Sequence, residues 1–386
     1  MRYNKTILEQ MLQLFPRLSF QKVVDTYKGD SRVRTLSCWD QFIAMLFSQL
    51  SEQDSLRETV FSMGSHERKL YHMGTKRIKR STLSDANNKR DSRIYEDIFQ
   101  QLYERVNQFA PKFKLGLKKK FFILDSTTIP LCLKLFPWAK FRKNKAAVKL
   151  NTLLDAKGSL PRFINVTSGK THDNRASKDI PIPNDSYLVM DKGYLGLGQL
   201  NLYNNRRIRF VIRMREDMQM KMTKRFPVKK GGPVRSDQLG TFLVYRSYRL
   251  YPKPIRRIRY WDEEKKREFI FLTNDFHLSA QTVADIYKSR WDIELFFKTI
   301  KQNLKIKRFM GYSPNAVRIQ VFIAMIAYLL ISLIKFLQRS AWSVQKIFRL
   351  IRINLFERRC ISTLFTMQLK DPLLKGYESQ LSLFKV

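Results

Sequence analysis

The chain has 386 residues, 44% of them hydrophobic, which is room for two or three domains and too apolar for a disordered basic tail. Lys and Arg number 73 against 33 Asp and Glu, a formal charge of +40 at pH 7. Such an excess repels itself in a compact fold and a polyanion relieves it, so nucleic acid is the favoured partner and a membrane surface the main competitor.

In chain order, the opening stretch MRYNKTILEQMLQLF reads as an amphipathic helix without the apolar core and cleavage site of a signal peptide. Residues 1 to about 75 read as helical, with apolar side chains at three- and four-residue spacing in WDQFIAMLFSQLSEQDSLRETVFSM. Arg77, Lys79 and Arg80, with Asn87, Asn88, Lys89 and Arg90, make a polar, basic connector, either a phosphate contact or a solvated linker. A helix follows from about Ser92 to Phe109.

After Pro111 the texture changes. The apolar run FFIL ends in Asp125, and AVKLNTLLDAKGSLPRFINVTSG alternates as a hairpin turning at AKGS. In SYLVMDKGYLG a second short apolar strand ends in Asp191, and RIRFVIRMRE reads as another strand. From about Phe226 to Thr273 the alternating runs TFLVYRSYRL, IRRIRYWD and REFIFLT predict a strand-rich insertion. Helix resumes at LSAQTVADIYKSRW, with Ser279 as N-cap.

At 100° per residue, Tyr287, Arg290, Glu294, Lys298 and Lys301 share an arc of roughly 80° on one helix, a polar stripe suited to gripping phosphate. Ile286, Ile293, Phe296, Phe297 and Ile300 fill the opposite, buried side. Ile319 to Ile334 is uncharged over 16 residues, short of the roughly 20 that span a bilayer, and reads as a helix buried in a core. Residues 313–356 read as helical. Cys38, Cys132 and Cys360 are too scattered for a disulfide framework or a zinc site, which fits a reducing cytosol.

Asp125, Asp191 and Glu294 together suggest chemistry. Ligands collect at the carboxyl ends of α/β strands, where both aspartates are expected. Three converging carboxylates repel by roughly 4 kcal/mol per pair at 4 Å and an effective dielectric near 20. Shared Mg²⁺ or Mn²⁺ relieves that, and two ions roughly 3.5–4 Å apart would activate a hydroxyl and stabilise the leaving oxygen of a phosphodiester. Singly, each has a plainer reading: Asp125 caps a turn at Ser126-Thr127-Thr128, Asp191 starts a turn, and Glu294 pairs with Arg290 or Lys298. His172-Asp173, in GKTHDNRAS, reads more readily as a polar surface loop than as support for a metal site, and His66, His72 and His277 are isolated.

The spacing Y-(2)-R-(3)-E-(6)-K of Tyr287, Arg290, Glu294 and Lys301, with D-(1)-G-Y at Asp191 to Tyr194, resembles the DDE transposases of bacterial insertion sequences, in the insertion sequence 4 family. GDSRVRTLSCWDQFIAMLFSQLSEQDSLRE is similar to the N-terminal helical domain of one branch, and STLSDANNKRD to the connector after it. The resemblance implies an α/β, ribonuclease-H-like catalytic core with a β-rich insertion, plus the N-terminal helical domain. The expected layout is a DNA-binding helical domain at 1–80, a helical connector at 81–118, the core at 119–335 with the insertion at about 217–275, and a C-terminal helical region at 336–386.

The resemblance also places Asp125, Asp191 and Glu294 at the metal-binding triad, and Tyr287, Arg290 and Lys301 at positions contacting phosphates near the transposon end. Lys298, on the same stripe, and Trp291 beside it join the DNA-binding candidates, since family members can flip a base onto aromatics during hairpin formation. The implied partners are terminal inverted-repeat DNA and target DNA, with a homodimer in the synapse, no membrane, and a cytoplasmic, nucleoid-associated location. The alternatives are a metal-dependent nuclease without strand transfer and a non-catalytic DNA-binding protein.

Overall fold

The computed structural model describes residues 5–111, 119–304, 306 and 308–366. The chain divides into two compact units, residues 1–109 with 302–386, and residues 110–301.

The first unit is helical. Ile7–Leu14 begins with a capping box in which Thr6 accepts from the Glu9 N–H and Glu9 reaches back to the Thr6 N–H. Ser37 and Asp40 start Cys38–Leu50 in the same way, and every residue of that helix is buried. Arg17–Thr26, Leu56–Gly64 and Arg93–Phe109 complete the expected N-terminal helices. Pro314–Leu337, capped by Ser313 with proline in its first turn, packs against Arg93–Phe109 and Cys38–Leu50. Its 24 residues would suffice to span a bilayer, so length does not decide the matter; burial does, because 94% of its most apolar stretch lies inside the unit.

Helix in the connector begins earlier than the expected start near Ser92. Arg80–Lys89 is a helix that buries Leu83, Ala86 and Asn87 at helical spacing. Its Asn87 accepts from Gln41 Nε2 at 2.7 Å, while Gln41 Oε1 accepts from Arg90 at 3.0 Å and from the Tyr95 hydroxyl at 2.9 Å. A composition of Ser, Asn and Lys conceals a helix whose buried polar face is satisfied by distant side chains.

The second unit holds a ten-stranded sheet. Its strands are β1 (Phe121–Leu131), β2 (Lys140–Arg142), β3 (Lys145–Asp155), β4 (Leu160–Ser168) and β5 (Tyr187–Met190). They continue as β6 (Arg209–Arg213), β7 (Met220–Phe226), β8 (Val234–Phe242), β9 (Ile255–Asp262) and β10 (Arg267–Thr273). The β3–β4 hairpin turns at the expected residues, with Gly158 at φ 74° and Ser159 at φ 53° in the left-handed region.

β4, β3 and β1 pair antiparallel, and β1, β5 and β6 pair parallel. This is a ribonuclease-H-like core. β10 then pairs antiparallel with β6, and β9, β8 and β7 follow, so the strand-rich stretch extends the same sheet. Within it TFLVYRSYRL does not stay extended: β8 ends at Phe242 and Tyr245–Leu250 is a helix with no buried residue. Leu124, Leu188, Met190, Leu200, Phe210, Ile212 and Tyr251 anchor the apolar core under the sheet.

Candidate active site

The parallel register of β1 and β5 ends with Leu124 opposite Met190. The next residue on each chain is an aspartate, so Asp125 and Asp191 leave the shared ladder side by side. Asp191 ends β5 as expected. Asp125 does not end β1, because the strand runs on to Leu131 through antiparallel pairing with β3 on its other edge.

The predicted single stripe is divided between two helices, Ala280–Lys288 and Trp291–Asn303. Ser279 caps the first, accepting from the Thr282 N–H. The break has a local cause. The Ser289 hydroxyl donates to the Ile286 carbonyl at 2.6 Å, and the Arg290 N–H turns instead to the Tyr287 carbonyl at 3.1 Å. The apolar face is as expected, with Ile286, Ile293, Phe296, Phe297 and Ile300 all buried.

At this break the helices reach the aspartates. Arg290 Nη1 lies 2.7 Å from Asp125 Oδ2, and its Nη2 pairs with Glu294 Oε1, so one guanidinium spans two carboxylates. The Tyr287 hydroxyl donates to Asp191 Oδ1 at 3.2 Å. Burial pushes the Tyr287 phenol above its usual range and the charge on Asp191 adds to that, so Tyr287 is a neutral donor. Burial also pushes the Asp125 carboxyl up to about 6. Arg290 and the Ser126 N–H pull it down, while Asp191 and Asp173 push it further up.

Trp291 is 54% exposed, with the Lys265 ammonium 5.7 Å from its ring centroid. Lys298 is exposed and Lys301 half-buried on the following turns. Tyr287, Arg290 and Trp291, but neither Lys298 nor Lys301, border a small hollow that Tyr260, Phe269, Phe271 and Lys288 help to line.

Asp173 proved more central than its loop reading. It accepts from the Ser126 hydroxyl at 2.7 Å and from Lys149 Nζ at 3.1 Å. In the sequence Ser126 reads only as part of a turn after Asp125, and Lys149 only as a position in the alternating hairpin. Only the pairing of β1 with β3 brings them together, with Lys149 opposite Thr128.

Metal fit can be judged from the donor set. Asp125, Asp191 and Glu294 offer only oxygen, which suits a hard divalent cation, and such a cation would favour the ionised form of the Asp125 carboxyl that burial disfavours. Among the described residues no three acidic, His or Cys side chains close into a ready-made cage, since Arg290 holds Glu294.

A ribonuclease-H-like sheet with adjacent strand aspartates and a carboxylate-bearing helix defines the class as enzymes acting on nucleic-acid phosphodiesters. A family model described as a transposase DDE domain matches residues 116–330, and one described as a domain of unknown function (DUF4372) matches residues 3–76. The chain is 31% identical over 285 residues to a putative transposase, y4zB, of Sinorhizobium fredii, covering 73% of this chain and 79% of that one. It is 28% identical over 338 residues to a probable transposase for insertion sequence element IS5377 of Geobacillus stearothermophilus, covering 86% and 85%. A piggyBac transposase synaptic complex with hairpin DNA aligns at TM-score 0.45 and 13% identity over 98% of this chain and 85% of that one, too loosely to place any residue.

The chain belongs to the DDE transposases of bacterial insertion sequences. It is therefore an enzyme of DNA cleavage and strand transfer, and enzymes of this family generally use divalent metal ions.

Proposed function

We propose that this transposase binds the terminal inverted repeats of its element, cuts there by a cut-and-paste route and joins the ends to target DNA. Asp125, Asp191 and Glu294 are the residues that would hold Mg²⁺ or Mn²⁺, as two ions. The bound metal supplies Lewis acidity at the scissile phosphate and lowers the pKa of the attacking hydroxyl. What carries the reading is the arrangement of Asp125 and Asp191 at the end of one parallel register, met by Tyr287, Arg290 and Glu294 from one helix pair.

Arg290 has two uses in this reading. It steadies Asp125 and Glu294, and on DNA binding its guanidinium is suited to a phosphate, which frees Glu294 to turn toward the aspartates. Tyr287, Lys298 and Lys301 hold the strand, and Trp291 offers an exposed ring for stacking a base.

End recognition we assign to the N-terminal helices of residues 1–80. Arg57, Arg77 and Arg80 line adjoining hollows with exposed Phe61, and none of the three has an acidic partner among the described residues. Guanidinium groups beside an aromatic ring suit the phosphates and sugars of DNA. Two ends processed together call for a homodimer in the synapse, acting on nucleoid DNA in the cytoplasm.

The test is strand cleavage on an end-containing duplex. Asp125→Asn, Asp191→Asn and Glu294→Gln should each abolish cleavage in Mg²⁺ while end binding survives. Full cleavage by Glu294→Gln would remove that residue from the site.

A further inference from the structure

We propose that Asp173 is a positioning residue of this site, holding Asp125 and the turn after Asp191 in mutual register. The inference rests on the reading of Asp125 and Asp191 as metal-holding residues and adds a side chain from outside the predicted trio.

The connection runs through few atoms. Asp173 Oδ1 accepts from the Ser126 hydroxyl at 2.7 Å, and the Ser126 N–H donates to Asp125 Oδ1 at 2.8 Å. Fixing the serine therefore fixes the orientation of the neighbouring carboxylate. Lys149 Nζ donates to the same Asp173 oxygen at 3.1 Å and to the Thr171 carbonyl at 3.0 Å, which pins the loop carrying Asp173 to β3. The other oxygen, Oδ2, faces the turn after β5: a Cβ built on Gly193 would lie 3.4 Å from it. Asp173 thus bonds to β1, lies close to the turn after β5, and is itself only partly exposed, at 28%. An ordinary surface ion pair would not need the Ser126 hydroxyl.

Because both donors meet one oxygen, an amide can replace the carboxylate there. Asn at this position keeps an acceptor for Ser126 and Lys149, whereas Ala removes it. The carboxylate as a charge is then dispensable, and its geometry is not.

The experiment uses the full-length chain with three variants, Asp173→Ala, Asp173→Asn and Asp125→Asn. Free Mn²⁺ is read by electron paramagnetic resonance, cleavage of an end-containing duplex is measured in parallel, and metal-free melting reports on folding. Asp173→Ala should weaken Mn²⁺ binding and cleavage together by about tenfold to a hundredfold. Asp173→Asn should recover most of both, with melting close to that of the parent chain.

Two results would overturn the inference. One is an Asp173→Ala protein that binds Mn²⁺ and cleaves like the parent. The other is an Asp173→Asn protein as defective as Asp173→Ala, which would make the charge decisive and Asp173 a direct ligand. Asp125→Asn separates the levels: normal Mn²⁺ binding by that variant would bring down the reading of the site itself, and this inference with it.

Discussion

At the residue scale, Arg290 is the side chain on which the most depends. Its fork pairs with Asp125 and Glu294 at once. A lysine keeps the charge but offers a single ammonium that cannot span both carboxylates. Arg290→Lys should therefore lower cleavage by about tenfold or more, or about 1.4 kcal/mol in the barrier. Unchanged single-turnover kinetics would show that the fork does not matter.

Asp125 adds a pH dependence at the same scale. With its carboxyl lifted to about 6 by burial, it is protonated below that pH in the metal-free protein and ionised above it. Metal must then displace a proton, so Mn²⁺ affinity should be level above neutrality and fall by about tenfold per unit well below 6. Titrations at several pH values give the slope, and a flat profile down to pH 5 would contradict the assignment.

At the scale of elements, the break between Ala280–Lys288 and Trp291–Asn303 sets where Arg290 points. Ser289→Ala frees the Ile286 carbonyl and favours continuous helix, so the fold should be unharmed or gain roughly 0.5 kcal/mol on propensity. Cleavage should nonetheless fall, because a continuous helix carries Arg290 away from Asp125. Loss of melting temperature with cleavage intact would reverse that account.

The junction after β10 is held by Asp275. Burial by itself raises its carboxyl, but hydrogen bonds from the Tyr187 hydroxyl and the Leu278 and His277 N–H groups, together with Arg209, bring it below the ordinary carboxylate range. A carboxyl depressed in the folded state stabilises the fold above its unfolded pKa near ~4, and that contribution is lost as pH falls through the folded value. Asp275→Asn should be less stable at neutral pH and show a shallower loss of stability in acid. Denaturant melts across that range would reveal the difference, and parallel curves for the two proteins would refute it.

At the scale of the whole molecule, the charge of +40 is the governing quantity. End binding should weaken steeply with salt, with a slope near −0.9 for each phosphate contacted. Replacing Arg57, Arg77 or Arg80 by Ala should lower the magnitude of that slope by about one apiece and weaken binding to all sequences alike. A slope that none of the three replacements alters would move the DNA contacts elsewhere.

The sequence by itself determined what depends on local chemistry. The N-cap at Ser279 and the AKGS turn are each written in a few consecutive residues and appear where they were read. So does the apolar face of Ile293, Phe296, Phe297 and Ile300, because helical periodicity needs no distant partner. The Y-(2)-R-(3)-E-(6)-K spacing carried the family for the same reason.

Only the tertiary structure decided the rest. The continuation of β1 past Asp125 depends on pairing with β3, the Arg80–Lys89 helix on a glutamine 46 positions away from Asn87, and the place of Asp173 on a serine 47 positions from it. Residues 302–366 fold with the N-terminal helices although half the chain separates them. Backbone propensities and caps act within a turn, whereas burial and the satisfaction of buried polar groups are settled between segments that meet only when the chain has folded.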